Sequence, residues 1–167
     1  MKALLKTGII LGVVGLGFSS CLKPKEYDVV PVIEYKSFTP SGDTAFLSIT
    51  FTDGDGDVGL AEYETQPPYD TSSKFYYNLF INYYEKVNGV WVQGTNALGE
   101  PVQFNYRVPY LTPEGNNKAL KGEIQVKLSP RYYNVASPDS DTIKFDIQLA
   151  DRALQLSNIV ETPEIVR

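Results

Sequence analysis

Apolar residues recurring at every second position constrain this chain more than any other feature, because a period of two puts successive side chains on opposite faces of an extended strand. Ile143, Phe145, Ile147 and Leu149 alternate with Lys144, Asp146 and Gln148, so residues 142–150 read as a strand with one buried and one wet face. The same pattern runs through Ala45, Leu47, Ile49 and Phe51, through Val102, Phe104, Tyr106 and Val108, and through Ile124, Val126 and Leu128. Further strands are expected over residues 29–38, 75–87 and 90–93, with a closing strand over 158–166 that Pro163 interrupts. Asn88 and Gly89 join two of these as a hairpin, since both residues tolerate the positive φ of a tight turn. Helical spacing is absent beyond residue 28. Seven or eight short strands, each apolar on one side, bury those sides when two antiparallel sheets face each other, so the expected fold class is an all-β two-sheet sandwich.

The first twenty residues follow another logic. Lys2 and Lys6 form a short basic start, residues 8–18 are apolar and uncharged, and Ser19 and Ser20 lead into Cys21. This is the layout of a secretory signal, with an apolar run short of the roughly 20 residues that a membrane span needs. Leu16, Gly17, Phe18, Ser19, Ser20 and Cys21 resemble the lipobox of bacterial lipoproteins, and Phe18, at a position where leucine is usual, is similar to the looser form seen in Bacteroidota. The resemblance implies a signal peptide over 1–20, cleavage before Cys21 and several acyl chains, palmitate among them, on that cysteine. It also implies a location in the cell envelope, lipid-anchored in the outer membrane, with the periplasmic or surface face left open. Lys23, Lys25, Glu26 and Asp28 loosely resemble a surface-export signal, which Pro24 interrupts. Cys21 is the only cysteine, so no internal disulfide can form; the alternative to lipidation is a free thiol in an oxidising compartment. Residues 21–27 then form a tether and 28–167 one domain, whose strand series resembles bacterial immunoglobulin-like or fibronectin type III-like domains.

Loss of Lys2 and Lys6 would leave thirteen basic residues against twenty acidic ones, a net charge of −7. With no cluster of Lys and Arg, that balance sets nucleic acid aside as a partner.

The segment from Phe51 to Leu60 contains Asp53, Gly54, Asp55, Gly56 and Asp57. Carboxylates at alternate positions, separated by glycines, suit an oxygen-seeking cation such as Ca²⁺. Asp53, Asp55 and Asp57 match the first, third and fifth ligands of a helical Ca²⁺ loop, with Glu64 at the twelfth. Val58 occupies the place where that loop needs glycine and strands flank the segment, so it is no EF-hand. In a sandwich the loop lies at the pole where the strand over 142–150 ends, which brings Asp151 in as a fourth carboxylate. The same composition also suits a water-exposed turn without an ion.

Twelve Tyr, eight Phe and one Trp are a marked aromatic excess, concentrated near one hairpin. In a strand, neighbouring tyrosines point to opposite faces, so Tyr76, Tyr84 and Trp91 are candidates for an exposed face that contacts a glycan or a protein partner. Cross-strand aromatics also stabilise half-exposed sheets with no ligand at all. Residues 61–73, with Pro67, Pro68 and Tyr69, form a long loop that either carries function or caps one edge of the sandwich. Residues 112–117 and 137–141 read as turns.

The chain has no histidine, which excludes Ser-His and Cys-His nucleophilic chemistry and histidine-ligated zinc. A glycosidase built on two carboxylates stays open, although no pair is singled out. The expectation is a non-enzymatic, membrane-anchored structural or interaction module, Ca²⁺-stabilised; the alternative is a glycan-binding surface lipoprotein of a polysaccharide-uptake system.

Overall fold

The computed structural model describes residues 26–111 and 118–167. The expected signal peptide, Cys21, most of the expected tether and the expected turn at 112–117 lie outside the described residues.

Two antiparallel sheets pack face to face. The first is three-stranded, in the order β1 (Val32–Ser41), β2 (Thr44–Asp53) and β5 (Leu120–Leu128). The second contains β3 (Leu79–Val87), β4 (Val90–Gln93), β6 (Thr142–Leu149), β7 (Val160–Glu161) and β8 (Ile165–Val166). Its order is β4-β3-β6-β7, with β8 also on β6. The expected all-β sandwich is thus the observed fold.

Alternation sets what each strand buries. In β6, Ile143, Phe145, Ile147 and Leu149 are fully buried and the intervening residues are not. Leu79, Ile81 and Tyr83 of β3 meet them in register, with Leu79 opposite Leu149 and Tyr83 opposite Phe145. Ala45, Leu47, Ile49 and Phe51 of β2, with Ile33, Ile124 and Leu128, close the core from the other sheet. Phe38 stacks on Phe145 at 5.7 Å between centroids, and Tyr83 and Phe104 meet the same ring at 5.7 and 5.9 Å. Phe145 therefore joins the two layers.

The strand expected over 29–38 runs instead over Val32–Ser41, and the closing strand expected over 158–166 is two short ones, Val160–Glu161 and Ile165–Val166, parted by the segment that holds Pro163. Two further segments differ from the sequence expectation. Phe75 and Tyr76 belong to a 3-10 turn, Lys74–Tyr76, capped by the Ser73 side chain, and the strand begins only at Leu79. Residues 102–108 run along β3 through separate bridges, Asn82 with Gln103 and Leu79 with Tyr106, instead of one ladder. Pro101 and Pro109 bracket the segment and donate nothing, and the Asn105 side chain, not its backbone, accepts the N–H of Ile81.

Candidate cation site

Strand parity decides which aspartates are buried. The core-facing column of β2 runs Ala45, Leu47, Ile49, Phe51, and the next odd residue is Asp53; the column of β6 runs Ile143 to Leu149, and the next is Asp151. Each sheet therefore ends its apolar column on a carboxylate. Asp53 is 0% and Asp151 2% exposed, and a β-bridge from Val58 to Asp151 ties the two ends together at one pole. Asp57 is half-buried and Asp55 exposed.

Each of the three withdrawn carboxylates is held by one oxygen. Asp53 Oδ2 accepts the backbone N–H of Asp57 at 2.8 Å and of Val58 at 3.3 Å. Asp57 Oδ2 accepts the N–H of Ala153 at 3.1 Å, and Asp151 Oδ1 that of Gln155 at 2.7 Å. The other oxygens, Asp53 Oδ1, Asp57 Oδ1 and Asp151 Oδ2, are buried with no hydrogen-bond partner among the described residues. An unmet buried polar atom costs about 1–3 kcal/mol, and more when charged, so three at one pole call for positive charge.

The geometry accommodates it. One oxygen each from Asp53, Asp55 and Asp57 lie within 4.8 Å of one another; Asp151, expected as a fourth ligand, stands at the same pole but outside this set. Two oxygens that share an ion at about 2.4 Å can be at most about 4.8 Å apart, so these three can hold a single metal ion.

Burial is the main force on the acids here. It pushes Asp53 up to about 6, partly offset by the Asp57 N–H and reinforced by the charges of Asp55 and Asp57. Asp151 is likewise pushed up to about 6, by burial first, with the Gln155 N–H opposing and Asp57 and Asp55 adding. Asp57 is raised by burial and then by Asp55. A cation among them reverses the balance by favouring the ionised forms.

Neighbouring segments pack onto the pole. The Gly54 N–H donates to the Asp28 carbonyl at 2.7 Å, and a Cβ on Gly54 would come 2.8 Å from that oxygen, so glycine is needed for the chain to pass. Residues 61–73 are pinned as a cap: Arg107 donates to the carbonyls of Tyr76, Ala61 and Glu64 at 2.9, 3.0 and 2.6 Å. Arg152 pairs with Glu64, and the Tyr69 hydroxyl donates to the Arg152 carbonyl. Glu64 is thereby committed to Arg152 and to the Ala61 N–H, away from the twelfth-ligand role that spacing suggests.

The three candidate aromatics separate. Tyr84 and Trp91 share the wet face of the five-stranded sheet, with the Lys144 ammonium 5.6 and 5.2 Å from their ring centroids, and Lys86 lies 5.4 Å from Trp91. Tyr76 sits in the 3-10 turn with the Arg107 guanidinium 5.4 Å from its ring. Two features escaped sequence reading. The burial of Asp53 and Asp151 was available, since both extend an apolar column by two residues. The Glu64–Arg152 pair spans 88 positions and carries no local signal.

No protein-family model, curated protein or solved structure matches this chain.

Proposed function

We propose that this chain is a bacterial envelope lipoprotein, anchored in the outer membrane through lipid on Cys21, whose immunoglobulin-like sandwich is a non-enzymatic structural or interaction module stiffened at one pole by Ca²⁺. The observation that carries the cation part is the set of half-held carboxylates, one oxygen of each fixed by a backbone N–H and the other buried and unmet. All-oxygen donors without histidine or thiol favour a hard cation, and an irregular glycine-bearing loop suits the flexible coordination of Ca²⁺ better than the strict octahedron of Mg²⁺. Asp53 and Asp151 are closed off from solvent, which supports a structural role for them over acid–base work on a substrate. The lipobox resemblance of residues 16–21 supports the anchor.

Metal analysis of the purified mature chain and thermal melts with Ca²⁺ or EGTA test the cation. Ligand at 100 times its dissociation constant adds about 2.7 kcal/mol, which for a domain of this size raises the melting midpoint by roughly 5–10 °C. Asp53→Asn should abolish most of that rise. A midpoint indifferent to EGTA in the wild type, with no bound metal, removes Ca²⁺ from the proposal.

A second reading, glycan recognition on the wet sheet face, is favoured by the concave stretch of that face lined by Phe80, Asn82, Gln103, Asn105 and Gln148.

A further inference from the structure

The wet face of the five-stranded sheet also carries a groove of about 500 Å³, inside the range of small-molecule sites. Its polar lining includes the carboxamides of Asn82, Gln103, Asn105 and Gln148, with Phe80 among them and Lys74 on the lining formed by the 3-10 turn. A second concavity of about 510 Å³ shares Tyr77, Gln103 and Asn105 with the first, so the two adjoin.

The amides are locked in orientation. Asp146 Oδ1 accepts from Asn82 Nδ2 at 2.7 Å, Asn82 Oδ1 from Gln103 Nε2 at 2.7 Å, and Gln103 Oε1 from Asn105 Nδ2 at 3.3 Å. Asn105 Oδ1 in turn accepts the N–H of Ile81 at 3.3 Å. A carboxylate can only accept and a backbone N–H can only donate, so these two ends fix the direction of every amide between them. Gln148 Nε2 is held by the Ser157 carbonyl at 2.9 Å, and the Tyr84 hydroxyl donates to the second oxygen of Asp146 at 2.9 Å. These bonds use one hydrogen of each amide. The second hydrogen and spare lone pairs form a row of fixed donors and acceptors.

Charge narrows the ligand. Asp146 is engaged by Asn82 and Tyr84 and does not line the groove, so the one charged side chain of the lining is Lys74, beside the Phe75 ring on the 3-10 turn, and the floor itself is made of neutral amides. Vicinal hydroxyls match such a floor, because an amide can donate to one and accept from the next. Phe80 is half-buried and set edge-on to Phe75 at 6.4 Å, a fixed ring for the apolar face of a sugar. At Trp91 and Tyr84, by contrast, lysine ammoniums already cover the rings.

We propose that this groove binds a neutral oligosaccharide, with Asn82, Gln103, Asn105 and Gln148 hydrogen-bonding its hydroxyls, Phe80 under one ring, and the adjoining concavity taking the next unit. The ligand class rests on the glycan-recognition reading above; the site is independent of the cation and of Cys21.

Calorimetric titration of the mature chain with cello-, xylo-, manno-, malto- and laminari-hexaose tests it, alongside Gln103→Ala, Phe80→Ala and Trp91→Ala. The expected result is binding of at least one hexaose, weakened about tenfold or more by Gln103→Ala and by Phe80→Ala, with Trp91→Ala within about twofold. Gln103 is exposed, so its variant should melt with the wild type and serve as the readout if Phe80→Ala is unstable. Loss of binding in Trp91→Ala but not in Gln103→Ala overturns the groove while keeping a sheet-face glycan site. Absence of binding to every hexaose at millimolar concentration overturns both.

Discussion

An alanine methyl at Gly94 would come 2.5 Å from two ring carbons of Tyr83, closer than any real packing allows. Tyr83 cannot retreat: it is 0% exposed, its hydroxyl donates to Glu85 at 2.9 Å, and it accepts the Asn134 N–H at 3.2 Å. Glu85 is itself held by the Ser137 hydroxyl at 2.6 Å, so the strain would spread through a buried polar chain. Gly94→Ala should therefore destabilise by about 1–3 kcal/mol, the usual cost of overpacking, read as a lower denaturant midpoint with an unchanged slope. An unshifted midpoint would show that the ring moves freely. From sequence, Gly94 reads only as a residue after a short strand, because the ring it faces lies eleven positions away and its orientation depends on Asn134.

Strands were legible where burial acts on one side alone. The β6 pattern is visible because a wet face opposes a core face, and its continuation onto Asp151 foretells a carboxylate at the end of the column. The 102–108 alternation is real but does not make a ladder, since the prolines at either end and the Asn105 side chain replace backbone pairing. The amide row is invisible in sequence because Asn82, Gln103 and Asp146 become neighbours only across the sheet. At the pole where β2 and β6 end, element geometry also sets a pH dependence. Without a cation, Asp53 and Asp151 hold protons up to about 6, against an ordinary 3.8, so the folded state binds more protons than the unfolded chain between those values. Their contribution is complete below the ordinary value and is lost as pH rises through about 6. In metal-free protein the melting midpoint should thus fall as pH rises from about 4 to about 6.5, and Asp53→Asn with Asp151→Asn should flatten that fall. A wild-type profile that the double variant leaves unchanged would show that these two acids do not titrate there.

On the scale of the whole molecule, the acidic pole and the exit of the chain coincide. Asp28 meets Gly54 directly, and β1 starts beside the end of β2, with Val32 opposite Thr52. Cys21 stands seven residues before Asp28, a span of at most about 25 Å when extended. The proposed lipid on Cys21 would therefore hold the acidic pole toward the bilayer, while the hairpin at Asn88 and Gly89, beyond the other end of β3, points away by the length of that strand, about 30 Å. Because the proposed lipidation would consume the only native thiol, an engineered cysteine could be labelled alone. Ala153→Cys places a donor fluorophore on the exposed surface of the cation pole, and Val90→Cys, at a residue 63% exposed, places one near the distal hairpin. In vesicles carrying a headgroup acceptor, transfer should be clearly stronger from position 153 than from position 90, and it should disappear at both in a Cys21→Ser background, which leaves the protein in solution. Equal transfer from both positions would mean that the domain lies on its side against the membrane. Transfer that survives Cys21→Ser would mean that something other than the lipid holds the protein there.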